Sequence, residues 1–191
     1  MDKQVKFMSN DEVEVAMELV NFLKERGMWM MTTTSPVLFN AWMSKNKSVA
    51  QQEFISWKAN GWLFSRGDRP IQVNGKIHSH CILIKVDNIM ANKTEKEFYQ
   101  FTQKYGVLTD HDHVYHYDWN RVAGECGGVS IPVSLFHTNY EKQDIEKYSS
   151  ERLTLWDPSS VTYRKQFLVE ANDDPLSVRR LFSEIKKIVG Q

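Results

Sequence analysis

Apolar and polar positions along this chain change period several times, between the 3.6-residue spacing of helices and the two-residue alternation of strands. Ser9-Asn10-Asp11-Glu12 reads as a capping box, a hydroxyl and a carboxylate three residues apart that satisfy free helix N–H groups. Behind it Val13, Ala16, Met17, Val20 and Leu23 fall on one helical face, and Gly27 closes the element. Residues 28–34 are β-prone and stop at Ser35-Pro36, because the residue before proline is pushed out of the helical region. A strand entered directly from a helix is expected in the interior of a sheet. Residues 37–43 are apolar but short, which leaves a helical turn and an irregular wall both open. Ser48-Val49-Ala50-Gln51 forms a second capping box ahead of Phe54, Ile55 and Trp57, and Gly61 ends that helix. Trp62-Leu63-Phe64-Ser65 reads as a short strand, followed by the polar turn Arg66-Gly67-Asp68-Arg69-Pro70.

The second half repeats the mixture. Residues 77–86 are rich in β-branched side chains and predict a strand that ends at Asp87-Asn88. Thr94 opens a helix whose Phe98, Phe101 and Tyr105 point inward and whose end is Gly106. Asp118 caps a short helix carrying Trp119, Val122 and Ala123, and Gly127-Gly128 breaks it before a strand over residues 129–133. Residues 135–152 are polar and poorly patterned, the signature of a mobile loop or insertion. Trp156-Asp157-Pro158-Ser159 is a turn, and residues 161–169 predict a strand. Asp174-Pro175 supplies an N-cap and a first-turn proline for a C-terminal helix over 175–189, with Leu181, Phe182, Ile185, Ile188 and Val189 on its apolar face. Strands and helices without regular βαβ alternation, and without a repeat or linker, predict a single α+β domain over residues 1–191.

Charge and cysteine content narrow the function classes. Lys+Arg and Asp+Glu both number 24. A net charge of zero argues against bulk attraction to nucleic acid or to an anionic membrane. The paired basics Arg179-Arg180 and Lys186-Lys187 read as the solvated face of the last helix. No apolar run approaches the roughly 20 residues that cross a bilayer, and no signal peptide is visible in the first ten residues. Two cysteines, Cys81 and Cys126, build neither a disulfide framework nor a metal knuckle, so a reducing, cytoplasmic setting is expected.

Three constellations carry candidate chemistry. His78 and His80 lie two apart on a predicted strand, and His111, His113 and His116 follow in a turn with Asp110, Asp112 and Asp118. Imidazole with carboxylate suits a first-row metal, although no recognised ligand spacing is present, and a polar turn beside a solvated strand face explains the same residues. Cys126 stands at a helix C-terminus beside Glu125; both features disfavour a thiolate, which predicts a structural cysteine, as does the apolar surrounding of Cys81. Gly124-Glu125-Cys126-Gly127-Gly128 lacks the lysine and spacing of a phosphate loop and precedes a strand, so it predicts a tight backbone turn.

One longer pattern covers residues 60–165. Trp62-Leu63-Phe64-Ser65, the strand closing in Asp87-Asn88-Ile89, Phe98 with Phe101 and Tyr105, Tyr117-Asp118-Trp119-Asn120-Arg121-Val122-Ala123, Gly128-Val129-Ser130-Ile131 and Trp156-Asp157-Pro158-Ser159-Ser160 follow in order. This series resembles a group of small bacterial and phage proteins with an ADP-ribosyltransferase-like fold. The resemblance implies a split β-sandwich with peripheral helices around an NAD cleft, and transfer of ADP-ribose to a host protein or other macromolecule. It implies catalytic roles for Ser65 and Asp157, the latter an acid one methylene shorter than the glutamate such chemistry asks for. Thr32 would stand where the first core strand holds NAD, and Trp62 and Tyr117 would stack on nicotinamide or adenine. No metal belongs to this reading. Two alternatives stay open: a non-enzymatic binding or inhibitor protein on a degenerate scaffold of the same kind, acting through residues 135–152, and a metal-dependent hydrolase or nuclease using His78, His80, His111, His113 and Asp112.

Overall fold

The computed structural model describes residues 10–56, 61–66, 80–108, 115–132, 151–169 and 178–190. In chain order these form α1 (Asn10–Glu25), β1 (Met28–Thr33), α2 (Val37–Met43), α3 (Lys47–Ser56), β2 (Trp62–Arg66), β3 (His80–Val86) and β4 (Ile89–Ala91). There follow α4 (Glu95–Tyr105), β5 (Gly106–Leu108), β6 (Tyr115–Tyr117), α5 (Trp119–Glu125), β7 (Gly128–Pro132), β8 (Glu151–Leu155), β9 (Val161–Leu168) and α6 (Val178–Val189). Seven strands make one sheet in the order β4-β7-β8-β2-β1-β3-β9, and β5 with β6 makes a separate two-stranded ribbon. Every pairing in the large sheet is antiparallel except that of β4 with β7. The class is α+β, and β1 lies in the sheet interior as its sequence context predicts.

Three apolar clusters clothe this sheet. On one face Met28, Met30, Cys81 and Leu83 pack beneath Ala16, Leu19 and Leu23 of α1 and Leu181, Phe182 and Ile185 of α6. On the other, Trp29, Ile82, Ile84, Phe64, Leu153 and Leu155 meet Phe39 and Trp42 of α2. At the β7 end, Val129, Ile131 and Trp156 are covered by Phe54 of α3, Phe101 and Tyr105 of α4, and Val122 and Ala123 of α5. Alternation along β1 therefore feeds two cores, Met28 and Met30 to one side and Trp29 and Met31 to the other.

Several local expectations change. Met17 is 43% exposed, since the buried stripe of α1 centres on Ala16, Leu19 and Leu23 and leaves Met17 on its flank. Asn46, not Ser48, caps α3: its Oδ1 accepts from Val49 N at 2.9 Å, which starts the helix one residue before Ser48. Arg66 ends β2 rather than opening a turn, because its guanidinium donates to Met28 O at 2.8 Å and to Glu151 at 2.6 Å. Glu151 and Arg152 open β8 instead of closing a loop, since their backbone pairs with β2 on one side and β7 on the other. The short β4 is entered through Asn88 at φ 51°, a left-handed position that asparagine tolerates. Ser9, Trp57, Ile77, residues 135–150 and Asp174-Pro175 lie outside the described residues.

Other local signals match. Thr94 and Glu97 build a reciprocal capping box on α4, and Asp118 caps α5 by accepting from Arg121 N. Gly27 ends α1 at φ +62°, the left-handed conformation that glycine adopts without steric cost. Among the described residues no helix is long and apolar enough to cross a membrane.

Candidate functional site

An aromatic cleft opens where α2 and α3 approach the start of β2 and the end of β8. Helical spacing presents Leu38 and Trp42 from α2, four residues apart, and Ala50, Glu53 and Phe54 from α3. Lys45 comes from the link between the two helices, Gly61 and Trp62 from the entry to β2, and Trp156 from just beyond β8. These residues enclose about 650 Å³, within the range of small-molecule sites. Gly61 is required by proximity: a Cβ there would fall 2.7 Å from Thr154 Cγ2 and 2.9 Å from Leu155 O.

The rings of the cleft brace one another. Phe54 stacks on Trp156 with centroids 4.4 Å apart and planes at 16°. Trp42 and Trp62 stand 6.0 Å apart at 51°, and both pack on Phe39. Trp119 closes edge-on against Phe54 and Trp156. Aromatic pairs at these separations hold their orientation without hydrogen bonds. Among the described residues the charge at the cleft is a single ion pair, in which Lys45 Nζ reaches both Glu53 oxygens at 2.7 and 2.6 Å.

Beside the cleft lies a buried polar turn. Asp157 is 2% exposed; its Oδ1 accepts from Ser159 N at 2.9 Å and Ser159 Oγ at 2.6 Å. Lys47 Nζ stands 3.5 Å from Oδ2, an ion pair without a hydrogen bond. Gly127 O receives both Trp156 N and Asp157 N at 3.0 and 3.1 Å, and Gly127 N donates to Asn88 O at 2.7 Å. Trp156 Nε1 donates to Cys126 O at 3.0 Å, which fixes the indole at the cleft floor. The tight turn expected at Gly127-Gly128 is thus the anchor of the Trp156 segment.

The residues singled out from the sequence do not share one cleft. Trp62 lines the cleft, and Asp157 lies in the adjoining turn, engaged by Ser159 and Lys47. Ser65 is buried; it pairs with Met30 and Arg152, on the opposite face of β2 from Phe64. Its partner Arg152 lies three residues before Leu155, about 10 Å of strand from the end that leads to Asp157. Thr32 pairs with Cys81 and shares the Met30 face. Tyr117 sits in the ribbon, its hydroxyl 3.1 Å from Thr102 Oγ1 and its ring against Phe101 and Trp119. His78, His111, His113, Asp110 and Asp112 lie outside the described residues, while His80 and His116 occupy different sheets. Leu38, Trp42, Glu53, Phe54 and Trp156 were not legible as a site. Their one sequence signal is the density of aromatics at 12%, with six tryptophans in the chain.

None of the described groups with a shifted titration lines the cleft. Burial pushes the Cys81 thiol up to about 12 and also raises Cys126, whose Sγ lies 3.5 Å from Val122 O. Glu125 is held below the usual carboxylate range by hydrogen bonds from Lys104 and Tyr105, at 2.6 and 2.5 Å. Desolvation and then that same carboxylate push the Tyr105 hydroxyl up, so the group ties α4 to α5. Comparison of the chain with protein-family models, with curated proteins and with solved structures finds no match.

Proposed function

We propose that this protein is a binding protein of ADP-ribosyltransferase-like character, whose aromatic cleft receives the flat nicotinamide or adenine ring of NAD. The observation that carries the reading is the set Trp42, Trp62, Trp156 and Phe54 around about 650 Å³, with one charged pair at its edge. Ring stacking of this kind contributes about 1–3 kcal/mol per base. Binding is favoured over transfer because Ser65 lies on the far face of β2 and the Asp157 carboxylate is held by Ser159 away from solvent. The host macromolecule implied by the resemblance would be engaged by the ligand-bound protein, as in an inhibitor or adaptor.

The test is a tryptophan-fluorescence titration with NAD, repeated on Trp62→Ala. Saturable quenching in the wild type, weakened by about ten-fold or more in the variant, is the expected result. Absence of quenching up to millimolar NAD would overturn the reading.

A further inference from the structure

Resting on that cleft, we infer that it selects a ligand group with a permanent positive charge, a pyridinium or quaternary ammonium, over its neutral counterpart. Indole faces present negative electrostatic potential and attract cations. Of the three lining tryptophans Trp62 is the half-buried one, while Trp42 and Trp156 are buried behind it and add to the same field. Among the described residues the cleft is lined by one carboxylate, Glu53, on α3 beside Phe54. Its two oxygens are occupied by a single ammonium, that of Lys45. Lys45 therefore stands in for the cation that a ligand would bring.

The two partners differ in how readily they can leave. Glu53 is fixed by its helix, whereas Lys45 reaches the cleft on a flexible four-carbon stem from the link between α2 and α3. Both side chains are more than a third solvated, at 35% for Lys45 and 43% for Glu53. Such pairs are held by less than a factor of about five in equilibrium constant. A ligand cation can displace the lysine into water and keep the carboxylate paired. An anion could pair with Lys45 only by drawing it off Glu53, leaving that carboxylate unpaired beside the rings, so the same geometry disfavours it. The nearby Lys47 is engaged with Asp157 and leaves the cleft charge unchanged.

The experiment compares three probes by fluorescence titration: 1-methylnicotinamide (cationic ring), nicotinamide (neutral ring) and choline (cation without a ring). Wild-type protein is expected to bind 1-methylnicotinamide at least about five-fold more tightly than nicotinamide. Glu53→Gln, isosteric and partly exposed, should shrink that preference, and Lys45→Met should enlarge it. Equal binding of the two rings overturns the charge selection and leaves the ring-binding proposal standing. Binding of choline with neither ring bound does the reverse. An undiminished preference in Glu53→Gln, with circular dichroism unchanged, removes the carboxylate from the argument and overturns the inference.

Discussion

Gly127→Ala is the sharpest test of how the Trp156 segment is anchored. A methyl at position 127 would overlap Ser160 Oγ and lie 2.9 Å from Asp157 Cβ. The hydroxyl can rotate away. The Asp157 Cβ cannot, because Asp157 N is held by Gly127 O and Ser160 N is held by Asp157 O, each at 3.1 Å. Forcing one methyl into so tight a place costs about 2 kcal/mol, the middle of the range for overpacking. With a urea slope of about 2 kcal/mol/M, the unfolding midpoint should fall by about 1 M. Far-UV circular dichroism in a urea series reads this directly. Ser160→Ala alone should be close to neutral, since Ser160 Oγ is buried and has no hydrogen-bond partner among the described residues. Because the hydroxyl rotates away unaided and the Asp157 and Ser160 Cβ contacts persist, the double variant should lose about as much as Gly127→Ala alone; substantial recovery would place the clash at the hydroxyl instead. A midpoint within about 0.2 M of wild type for Gly127→Ala would falsify the packing argument.

Two further outcomes follow from the titrating groups. The Glu125 carboxylate is depressed by Lys104 and Tyr105, so it favours the folded state above its unfolded pKa and loses that contribution as pH falls through its folded value. Glu125→Gln should therefore lower the thermal midpoint at pH 7, with the gap from wild type closing in acid; a gap that is constant with pH would refute the assignment. Cys81, fully buried and raised to about 12, should resist a thiol reagent at pH 8 in native protein and react at the rate of unfolding. Rapid labelling of Cys81 in the folded state would contradict the packing of β3.

Much of the architecture was legible because the relevant signals are local. The Thr94 box, the Asp118 cap, Gly27 and the β-branched run of β3 each act within a few residues, and each appears where the sequence places it. β8 escaped detection because Glu151-Arg152-Leu153-Thr154-Leu155 carries only two apolar residues, too short an alternation to stand out, and what makes it a strand is its pairing with β2 and β7. Its two polar leading residues look like loop in isolation. The cleft was hidden for a related reason. Its rings come from positions 42, 54, 62 and 156, so only the closed sheet brings Trp156 against Phe54. Trp62 was singled out through the resemblance alone, and Trp156 and Phe54 are buried as well as cleft-lining.

The place of β8 bears on the order in which the chain can assemble. It joins β2, some ninety residues earlier, to β7, and so connects β1, β2, β3 and β9 with β4 and β7. Closing contacts over such separations is slow relative to helix or hairpin formation. While the chain is being synthesised at about 5–20 residues per second, β2 must wait several seconds with an unpaired edge before residue 155 has been made. That interval exposes a short strand ending in Arg66, whose charge protects the open edge from pairing with another chain.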